Sequence, residues 1–411
     1  MKRYDSYKPS GIPWLSNIPR HWEIKTLSQL TSEHKRSNKG VNHQNLLSLS
    51  YGRIIRKDIN KTDGLLPASF ESYQIIEPGN IVLRLTDLQN DHKSLRVGLC
   101  REEGIITSAY VAIDVKNFIN SEYLYLLLHC YDILKVFYSM GSGIRQVLNY
   151  QGLAKLDILL PPIDEQLSIT SFIRNKSNLI ESLFSEKRKN IGLQRELLEN
   201  LIFFGEDEGQ ATINGWGNDF PSGWKIVKGR RIFEEIDLKG FTDERFIAVT
   251  QDKALIYKDE GDVNFVTASD PRTQKLVCPN QFVISLRSFQ GGLELSSIRG
   301  LISPAYSVFK LKEEYDNDKL RSFFRFLFKT RPYISLLNSL SDSLRDGKSI
   351  KFSEVAEFEY PLPPANFLES FYKEVKKFDI LIQEYRELEK LLSEYKQRLI
   401  ADVVTGQIKI D

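Results

Sequence analysis

The sequence has little cysteine and no long uncharged apolar segment. Its 411 residues include only three cysteines, Cys100, Cys130 and Cys278, which lie far apart, with no CxxC pair and no histidine at the spacing of a zinc site. The thiols are therefore expected to be reduced and structural. Nowhere do about 18 uncharged apolar residues run together, and the basic start, MKRYDSYKPSGIPWL, is not followed by the apolar region of a signal peptide. We expect a cytoplasmic protein that does not enter a membrane.

The sequence also lacks the common catalytic motifs. The segment DGKS at residues 346–349 has the end of a phosphate-binding loop, but neither the earlier glycine nor the preceding apolar strand. Leu160 and Leu362 precede the two Pro-Pro pairs, where an adenine methyltransferase has Asn or Asp, and no glycine-rich turn for S-adenosylmethionine is present. No HExxH pair and no GxSxG elbow occurs. These absences predict a chain without catalytic activity of its own.

The composition and length of the chain are those of a folded protein with more than one domain. The apolar fraction is 41%, the charged fraction 27% and the aromatic fraction 11%, which is typical of globular domains. At roughly 100 to 200 residues per domain, the length predicts two or three domains. The formal net charge of +2 leaves nucleic-acid binding open, because positive charge can be confined to one face.

The second half of the chain repeats the first at a spacing of about 200 residues, far longer than the repeats of solenoids. The segment IPRHWEIKTL around Trp22 corresponds to FPSGWKIVKG around Trp224, which lies 202 positions later (224 − 22). EPGNIVLRLTDLQND at residues 77–91 corresponds to CPNQFVISLRSFQGG at 278–292, and each pattern predicts a turn and a strand that runs into a polar loop. GIITSAYVAI and GLISPAYSVF place Tyr110 opposite Tyr306. The repeat predicts duplicated domains.

A long amphipathic helix is predicted after each Pro-Pro pair, because proline is tolerated where a helix begins. The first spans about residues 164–203, and its heptad positions are filled by Ile173, Ile180 and Leu201 and by Phe184, Ile191 and Leu198, with Lys187 and Gln194 as polar interruptions. The second spans about residues 367–400, with an apolar pattern of Leu368, Phe371, Val375, Phe378, Ile382 and Tyr385, a slip at Leu388, and then Leu392, Tyr395 and Leu399. The apolar seam of a single helix of this kind would be exposed to water. We therefore expect the two long helices to pack against each other as an antiparallel pair, with a domain at each end. Two unrelated core helices in separate domains are the alternative.

Polar loops that follow the repeated strands are suitable places for binding residues. In the first copy, Arg84, Lys93 and Arg96 can contact phosphates or guanine, while Gln89 and Asn90 match an adenine edge. In the second copy, Arg287, Ser288 and Gln290 lie beside Gly291, which would let backbone approach a partner closely. Short basic loops with Arg145, Arg345 and Lys348 precede the last strand of each copy. All these segments are also compatible with hydrated turns, and Tyr110 and Tyr306 with simple packing.

The order, duplication and spacing of these motifs resemble those of the specificity subunits of type I restriction-modification systems. The resemblance is carried by GIPWLSNIPRHWEI near the start, by LPPIDEQLSI and its degraded copy LPPANFLES, by the two long helices, and by the closing LIADVVTGQIKID. It covers essentially the full length. In the second copy Ala365 and Asn366 replace the Asp-Glu-Gln run of residues 164–166, so contacts made by those side chains are not expected to carry over, although the helix is.

The resemblance implies an α+β fold with two pseudo-symmetric α/β target-recognition domains joined by two long antiparallel coiled-coil helices. The implied division is a first recognition domain at 1–162, a first spacer helix at 163–204, a second recognition domain at 205–364, and a second spacer helix with the C-terminal tail at 365–411. Each domain would read one half of a split DNA sequence. The residues that the resemblance and the loops together suggest as DNA contacts are Arg84, Thr86, Asp87, Gln89, Asn90, Lys93, Arg96, Ser108, Tyr110, Arg145, Arg287, Ser288, Gln290, Gly291, Tyr306, Arg345 and Lys348.

The resemblance also implies partners. They are double-stranded DNA, two methyltransferase subunits that carry S-adenosylmethionine and modify adenine, and restriction subunits that use ATP and Mg; this chain would bind no cofactor or metal itself. Two other hypotheses remain: a free-standing sequence-specific DNA-binding regulator, and an enzyme whose site lies in the paired loops. The first lacks a helix-turn-helix or a strongly basic domain. The second lacks an acid, base and nucleophile constellation.

Overall fold

The architecture is that of a computed structural model, which describes residues 2–40, 43–58, 69–89, 91, 94–140, 148–205, 212–215, 218–221, 223–250, 254–259, 270–285, 293–342 and 352–410. The chain divides into two compact units. The first unit comprises Met1–Ser185 and Glu387–Asp411, and the second unit comprises Glu186–Arg386.

The first unit combines short antiparallel strands with helices that cover one face of its main sheet. Its strands are β1 (Tyr7–Ile12), β2 (Leu15–Pro19), β3 (Glu23–Thr26), β4 (Thr31–His34), β5 (Leu47–Ser50), β6 (Arg53–Arg56), β7 (Gln74–Ile76), β8 (Ile81–Leu83), β9 (Val97–Leu99), β10 (Gly104–Ile106), β11 (Val111–Val115) and β12 (Asp157–Leu160). Its helices are α1 (Leu27–Leu30), α2 (Ser121–Ile133), α3 (Tyr150–Leu153) and the first part of α4 (Ile163–Phe204). The main sheet has the order β4-β11-β8-β9, and the pairs β1-β2, β3-β12, β5-β6 and β7-β10 surround it.

The second unit repeats this arrangement. Its strands are β13 (Thr212–Gly215), β14 (Asn218–Pro221), β15 (Lys225–Lys228), β16 (Phe233–Ile236), β17 (Ile247–Thr250), β18 (Ala254–Tyr257), β19 (Lys275–Val277), β20 (Phe282–Ser285), β21 (Glu294–Leu295), β22 (Gly300–Ile302), β23 (Tyr306–Leu311) and β24 (Glu359–Leu362). Its helices are α5 (Gly229–Ile232), α6 (Asp318–Leu327), α7 (Arg331–Asp342), α8 (Phe352–Glu357) and the first part of α9 (Ala365–Val404). The main sheet β16-β23-β20-β21 and the pair β15-β24 match β4-β11-β8-β9 and β3-β12 of the first unit. The duplication predicted from the sequence is confirmed.

The turn before the third strand of each main sheet shows how different residues give the same structure. In the first unit Gly79 has a φ of +98°, and the amide oxygen of Asn80 accepts a hydrogen bond from the Glu77 N–H over 2.8 Å. In the second unit Asn280 has a φ of +68°, and Gln281 accepts from the Cys278 N–H over 2.8 Å. Glycine and asparagine are the residues that tolerate positive φ at this place in a turn after proline. Equivalent turns therefore precede β8 and β20.

The two units have hydrophobic cores in equivalent positions, and these cores are formed by different side chains. In the first unit Leu124, Leu127 and Tyr131 of α2 join a buried cluster with Ile81 and Leu83 of β8. In the second unit the corresponding cluster is rich in phenylalanine. Its aromatic members include Phe233, Phe282, Phe309, Phe323, Phe324 and Phe328. Ring contacts such as that of Phe233 with Phe324, at 4.9 Å between centroids, replace the aliphatic packing of the first unit.

The two long helices predicted from the sequence are confirmed, and each contributes to both units. In the second unit Leu198 and Ile202 of α4 share a buried cluster with Phe371 and Val375 of α9, and Arg188 donates to the Tyr385 hydroxyl over 2.8 Å. The helix segments in that unit therefore run in opposite directions. In the first unit Ile169 and Ile173 of α4 share a core with Leu399 and Val403 of α9.

The prediction that Tyr395 lies in the apolar seam of α9 is wrong. Tyr395 is 46% exposed, whereas its neighbour Lys396 is partly buried. After Leu392 the more buried positions are Lys396, four residues on, and Leu399, three residues further. The sequence pattern had instead predicted that the seam would pass through Tyr395. A lysine thus occupies a seam position that the pattern reserves for an apolar residue.

The C-terminal tail returns to the start of the chain within the first unit. Lys2 and Lys409 form an antiparallel bridge, and Gln407 donates to the Asn17 carbonyl oxygen over 3.0 Å. Gly406 has a φ of +72°, and a Cβ there would meet Pro19 Cδ at 2.4 Å. Glycine ends α9 here because no other residue fits both the left-handed conformation and the close approach.

The Asp-Glu-Gln run at the start of α4 has a structural role in the first unit. Glu165 accepts hydrogen bonds from Tyr4, from His21 Nε2 over 2.8 Å, and from Trp22 Nε1 over 3.1 Å. At the same position of the second unit, 202 residues on, Phe367 packs on Trp224 at 4.8 Å between ring centroids. The polar anchor is replaced by an aromatic one, and the helix start is retained.

Candidate nucleic-acid interface

The loop behind β8 carries four of the predicted DNA contacts that the structure describes: Arg84, Thr86, Asp87 and Gln89. Leu85 and Leu88 are buried and fix the loop to the core. Arg84 is partly exposed and forms an ion pair with Asp91 at 3.4 Å, and Gln89 is exposed. Alternation of buried leucines with polar residues therefore presents the polar side chains on the surface of the first unit.

Arg96 was predicted to contact DNA, but it lies in the interior of the first unit. Its side chain is completely buried, and its guanidinium donates to the carbonyl oxygens of Arg84 (3.1 Å), Thr86 (2.8 Å), Asp87 (3.1 Å) and Asp91 and to the Tyr138 hydroxyl (3.0 Å). An arginine has five N–H donors in a fixed fork, and all five directions are used here. Arg96 holds the shape of the loop behind β8, and its guanidinium does not reach the surface in this conformation.

The support of the loop extends to α2. The Arg96 main-chain N–H donates to the carboxylate of Asp132, which is also fully buried. Burial raises the pKa of Asp132, although the Arg96 N–H and the Lys135 ammonium oppose the shift. Its second oxygen, Oδ1, has no hydrogen-bond partner among the described residues. Arg96 and Asp132 therefore form a buried polar connection between the loop and the helix behind it.

A cleft of about 420 Å³ lies beside this loop and brings three of the predicted residues together. Its lining includes Thr86, Ser108 and Tyr110, with Asn149 and the segment from Glu33 to Ser37. Ser108 is exposed, and Tyr110 is half-buried. Gln74 fixes their turn from below, donating to the carbonyl oxygens of Thr107 (3.2 Å) and Tyr110 (2.7 Å). Residues from five separate segments of sequence thus line this cleft, the groove of the first unit.

The groove also contains basic residues that the sequence argument missed. Lys35 and Arg36 follow β4 and line it. Lys35 pairs with Glu33 at 2.9 Å, and Arg36 lies 3.4 Å from Glu103 and 3.6 Å from Glu77. The run HKRSNK at residues 34–39 was the available signal, but only the pairing of β4 with β11 places it beside Tyr110.

A hydrogen-bonded group supports the groove, and in it His34 and Asn80 are buried while Asp114 is partly exposed. His34 contacts Asp114 Oδ1 through Nδ1 at 2.8 Å and the Ile75 carbonyl oxygen through Nε2 at 2.7 Å. Asn80 donates to the same oxygen of Asp114 over 2.9 Å. Tyr73, at the groove wall, has its pKa raised by burial and by the nearby Tyr110 hydroxyl. These contacts fix the groove before any ligand is present.

The second unit has the counterpart of the Tyr110 turn. Tyr306 donates its N–H to the Ser303 carbonyl oxygen (3.0 Å), as Tyr110 does to Thr107 (3.2 Å), and Ala305 donates to Ser303 Oγ as Ala109 does to Thr107 Oγ1, both over 3.3 Å. Tyr306 is partly buried against the cluster that contains Val283 and Val308. The remaining predicted contacts lie outside the described residues. They are Asn90, Lys93, Arg145, Arg287, Ser288, Gln290, Gly291, Arg345 and Lys348.

Within the described ranges, no group of three or more His, Cys, Asp or Glu side chains is arranged to hold a metal ion. In that same part of the chain, no helix has the length and apolar character needed to cross a bilayer. The three cysteines carry free thiols, with Cys100 and Cys130 buried.

These features define a duplicated α+β protein whose two sheets carry polar loops and whose units share two long helices. No family model matches the chain. It is 20% identical over 428 residues, 96% of each protein, to a curated protein of Methanocaldococcus jannaschii named putative type I restriction enzyme MjaX specificity subunit. The resemblance to type I specificity subunits is confirmed by this full-length similarity.

One solved structure shows the same fold. A chain from "Structural basis underlying complex assembly and conformational transition of the type I R-M system" superposes with a TM-score of 0.52 at 16% identity, covering 95% of this chain and 99% of that one. The HsdS subunit from Thermoanaerobacter tengcongensis covers 95% of this chain and 98% of its own at 16% identity, with a TM-score of 0.37. The predicted α+β class with two long helices is confirmed by the first of these.

Proposed function

We propose that this chain is the DNA-recognition subunit of a type I restriction-modification complex. In this proposal each unit reads one half of a split DNA target, and the chain directs partner subunits to methylate adenine or to cleave DNA without catalysing either step. The observation that carries the proposal is the duplication of one sheet and of the turn at Tyr110 and Tyr306 within a chain that resembles a specificity subunit over its full length. Two copies of a reading surface are what a bipartite site requires.

The first half-site would be read by the groove beside the loop of residues 84–91. Arg84, Lys35 and Arg36 supply positive charge for the phosphate backbone, which dominates affinity. Thr86, Ser108 and Gln89 supply the donors and acceptors that discriminate base edges. Because Arg96 and Gln74 hold both walls, little ordering is needed on binding, which favours affinity. The second half-site would be read by the second unit, where the Tyr306 turn corresponds to the Tyr110 turn of the first.

The spacing of the half-sites would follow from the helices. Helix α4 has 42 residues and α9 has 40, and a helix of that length measures about 60 Å at 1.5 Å per residue. Duplex DNA rises about 3.4 Å per base pair. We therefore propose a target of two short specific sequences separated by several base pairs that are not read, with the number fixed by the helices.

The outer faces of the helices would bind the methyltransferase subunits. In the first unit Leu179 and Leu183 of α4 are exposed, and in the second unit Leu193 and Leu197 are exposed. The members of each pair are four residues apart, which puts them on one side of the helix. Exposed apolar residues in such a row are typical of a protein-protein interface. S-adenosylmethionine, ATP and Mg would be carried by the partner subunits.

Selection from a pool of random duplexes tests this proposal. The purified full chain is used alone and together with its cognate methyltransferase subunit, and the retained DNA is sequenced. Enrichment of one split motif in the presence of the partner supports the proposal. A continuous motif selected equally well by the chain alone would instead identify a free-standing DNA-binding regulator.

A further inference from the structure

A second cavity of the first unit is separate from the groove beside Tyr110. It has a volume of about 370 Å³ and lies where the turn between β5 and β6 meets α2, α4 and the last part of α9. Its lining includes Arg53 from the start of β6, His129 from α2, Arg174 from α4 and Lys396 from α9. Neither the resemblance nor the proposed reading of DNA assigns it a role.

The cavity has an excess of positive charge. Arg53, Arg101, Arg174 and Lys396 line it, with Glu122 as the acidic residue among the lining side chains. Arg101 and Arg174 both pair with Glu122, and Arg53 pairs with Glu181 at 3.2 Å. Two arginines share one carboxylate, so that the positive charge is only partly neutralised.

One buried nitrogen of the cavity, Nδ1 of His129, has no hydrogen-bond partner within the part of the chain that the structure describes. Burial and the nearby Lys396 ammonium lower the pKa of His129 to about 4. Burial, with Arg53 adding to it, lowers the pKa of Lys396 even though Glu181 opposes the shift.

The position of Lys396 strengthens this observation. It occupies a seam position of α9, between Leu392 and Leu399, where an apolar residue would pack best. Burying an ammonium group there costs free energy unless a partner compensates it. A basic residue at such a place, beside an unsatisfied histidine nitrogen and three arginines, is the arrangement of a site that awaits an anion.

We propose that this cavity binds a phosphate group, either of a free nucleotide or of a DNA strand. Arginine forks match the oxygens of phosphate in pairs, and the cavity is larger than a single carboxylate side chain needs. Lys396 would act as the point charge, Arg53 and Arg174 as the forks, and His129 Nδ1 would interact with the phosphate or its ester. The inference goes beyond the proposed reading of bases, because this cavity shares no lining residue with the groove.

Calorimetric titration of the full-length chain with pyrophosphate and with deoxyadenosine monophosphate tests the inference. We expect binding by the wild type and about tenfold weaker binding by Lys396→Met, since the loss of one charge-assisted contact has that size. Lys390→Met, an exposed lysine on the same helix, is the matched control and should bind as the wild type does. Methionine keeps the aliphatic length of lysine, so Lys396→Met is expected to fold.

A parallel titration with a duplex of random sequence separates the two sources of phosphate. If the cavity holds a DNA phosphate, Lys396→Met weakens duplex binding, lowers the salt slope by about one, and pyrophosphate competes with the duplex. If it holds a free nucleotide, duplex binding is the same in both proteins while Lys396→Met binds deoxyadenosine monophosphate about tenfold more weakly. Absence of binding by every phosphate probe, or equal binding by wild type and Lys396→Met, would overturn the inference. So would an acidic peptide bound in preference to all of the phosphate probes.

Discussion

The guanidinium of Arg96 donates a hydrogen bond to the carbonyl oxygen of Thr86 over 2.8 Å. Thr86 lines the groove, whereas Arg96 is completely buried. The residue that gives the loop behind β8 its shape and the residues that line the groove are therefore different. Their contributions to stability and to DNA binding can be separated by mutation.

Replacing Arg96 by lysine is expected to lower the free energy of unfolding by about 3 kcal/mol, because an ammonium has three donors instead of five and leaves buried carbonyl oxygens unpaired. Denaturant unfolding measures this change. Arg84→Lys is the matched control, since its ion pair with Asp91 is partly solvated and should contribute less than about 1 kcal/mol. Arg84→Lys should nevertheless weaken DNA binding. Unchanged stability of Arg96→Lys would show that the loop does not depend on this fork.

Replacing Gly406 by alanine is expected to destabilise the first unit by about 2 kcal/mol or more. The residue has positive φ, and a Cβ would meet Pro19 Cδ at 2.4 Å; both effects oppose alanine. Gly192→Ala in α4 is the control, because no atom lies within 4 Å of its added Cβ, and alanine in a helix should stabilise by about 1 kcal/mol. Thermal unfolding compares the two variants, and equal shifts in the same direction would contradict the assignment.

His129 should make stability depend on pH. Its pKa is about 4 in the folded chain against an ordinary value of 6.5, so between those values the unfolded chain takes up a proton that the folded chain does not. Stability is therefore lost as the pH falls from 6.5 towards 4, by roughly 2 to 3 kcal/mol from this group. In His129→Phe this part of the pH dependence should disappear, as measured by urea unfolding at pH 7 and pH 4.5. Parallel curves for the two proteins would mean that His129 is not neutral when folded.

The groove should control one half-site only. We expect Thr86→Ala with Ser108→Ala to reduce discrimination among bases of the first half-site by about 1 to 3 kcal/mol, without changing the second. Competition binding with duplexes altered in one half at a time measures both effects. Tyr306→Phe provides the reciprocal variant in the second unit. Loss of discrimination in both halves from the first variant would contradict one half-site per unit.

The exposed leucines of α4 should matter for partner binding. Leu193→Glu is expected to weaken association with the methyltransferase subunit about 30-fold, because burying a leucine at an interface stabilises it by about 2 kcal/mol. Gln194→Glu adds the same charge at the next residue, which is also exposed, and should have little effect. Analytical ultracentrifugation of the two variants with the partner measures this difference. Equal affinities would place the partner on another surface.

Much of the fold could be predicted because its signals are local. The proline pairs and the apolar period give the long helices, and the repeat of Trp22 at Trp224 gives the duplication. Tyr395 was misplaced because a phase slip can be resolved in two ways, and only the packing of α9 shows that Lys396 takes the seam position.

The candidate site was predicted only in part, because its residues are brought together by tertiary structure. Lys35 and Arg36 reach the groove through the pairing of β4 with β11, which no local pattern reveals. Arg96 resembles a surface arginine in sequence, and its burial depends on the carbonyl oxygens of a loop that converge on it. Glu165 and Phe367 show the converse, because two chemically different residues contact the equivalent tryptophans at the starts of α4 and α9.

Methylome sequencing of cells that express this chain with a cognate methyltransferase subunit, compared with cells that express the methyltransferase alone, decides whether this chain directs DNA methylation. We expect adenine methylation at one new motif, made of two short sequences with an unread spacer, that depends on this chain. No new motif despite a soluble complex of the two proteins, or a new motif without a spacer, would contradict this expectation.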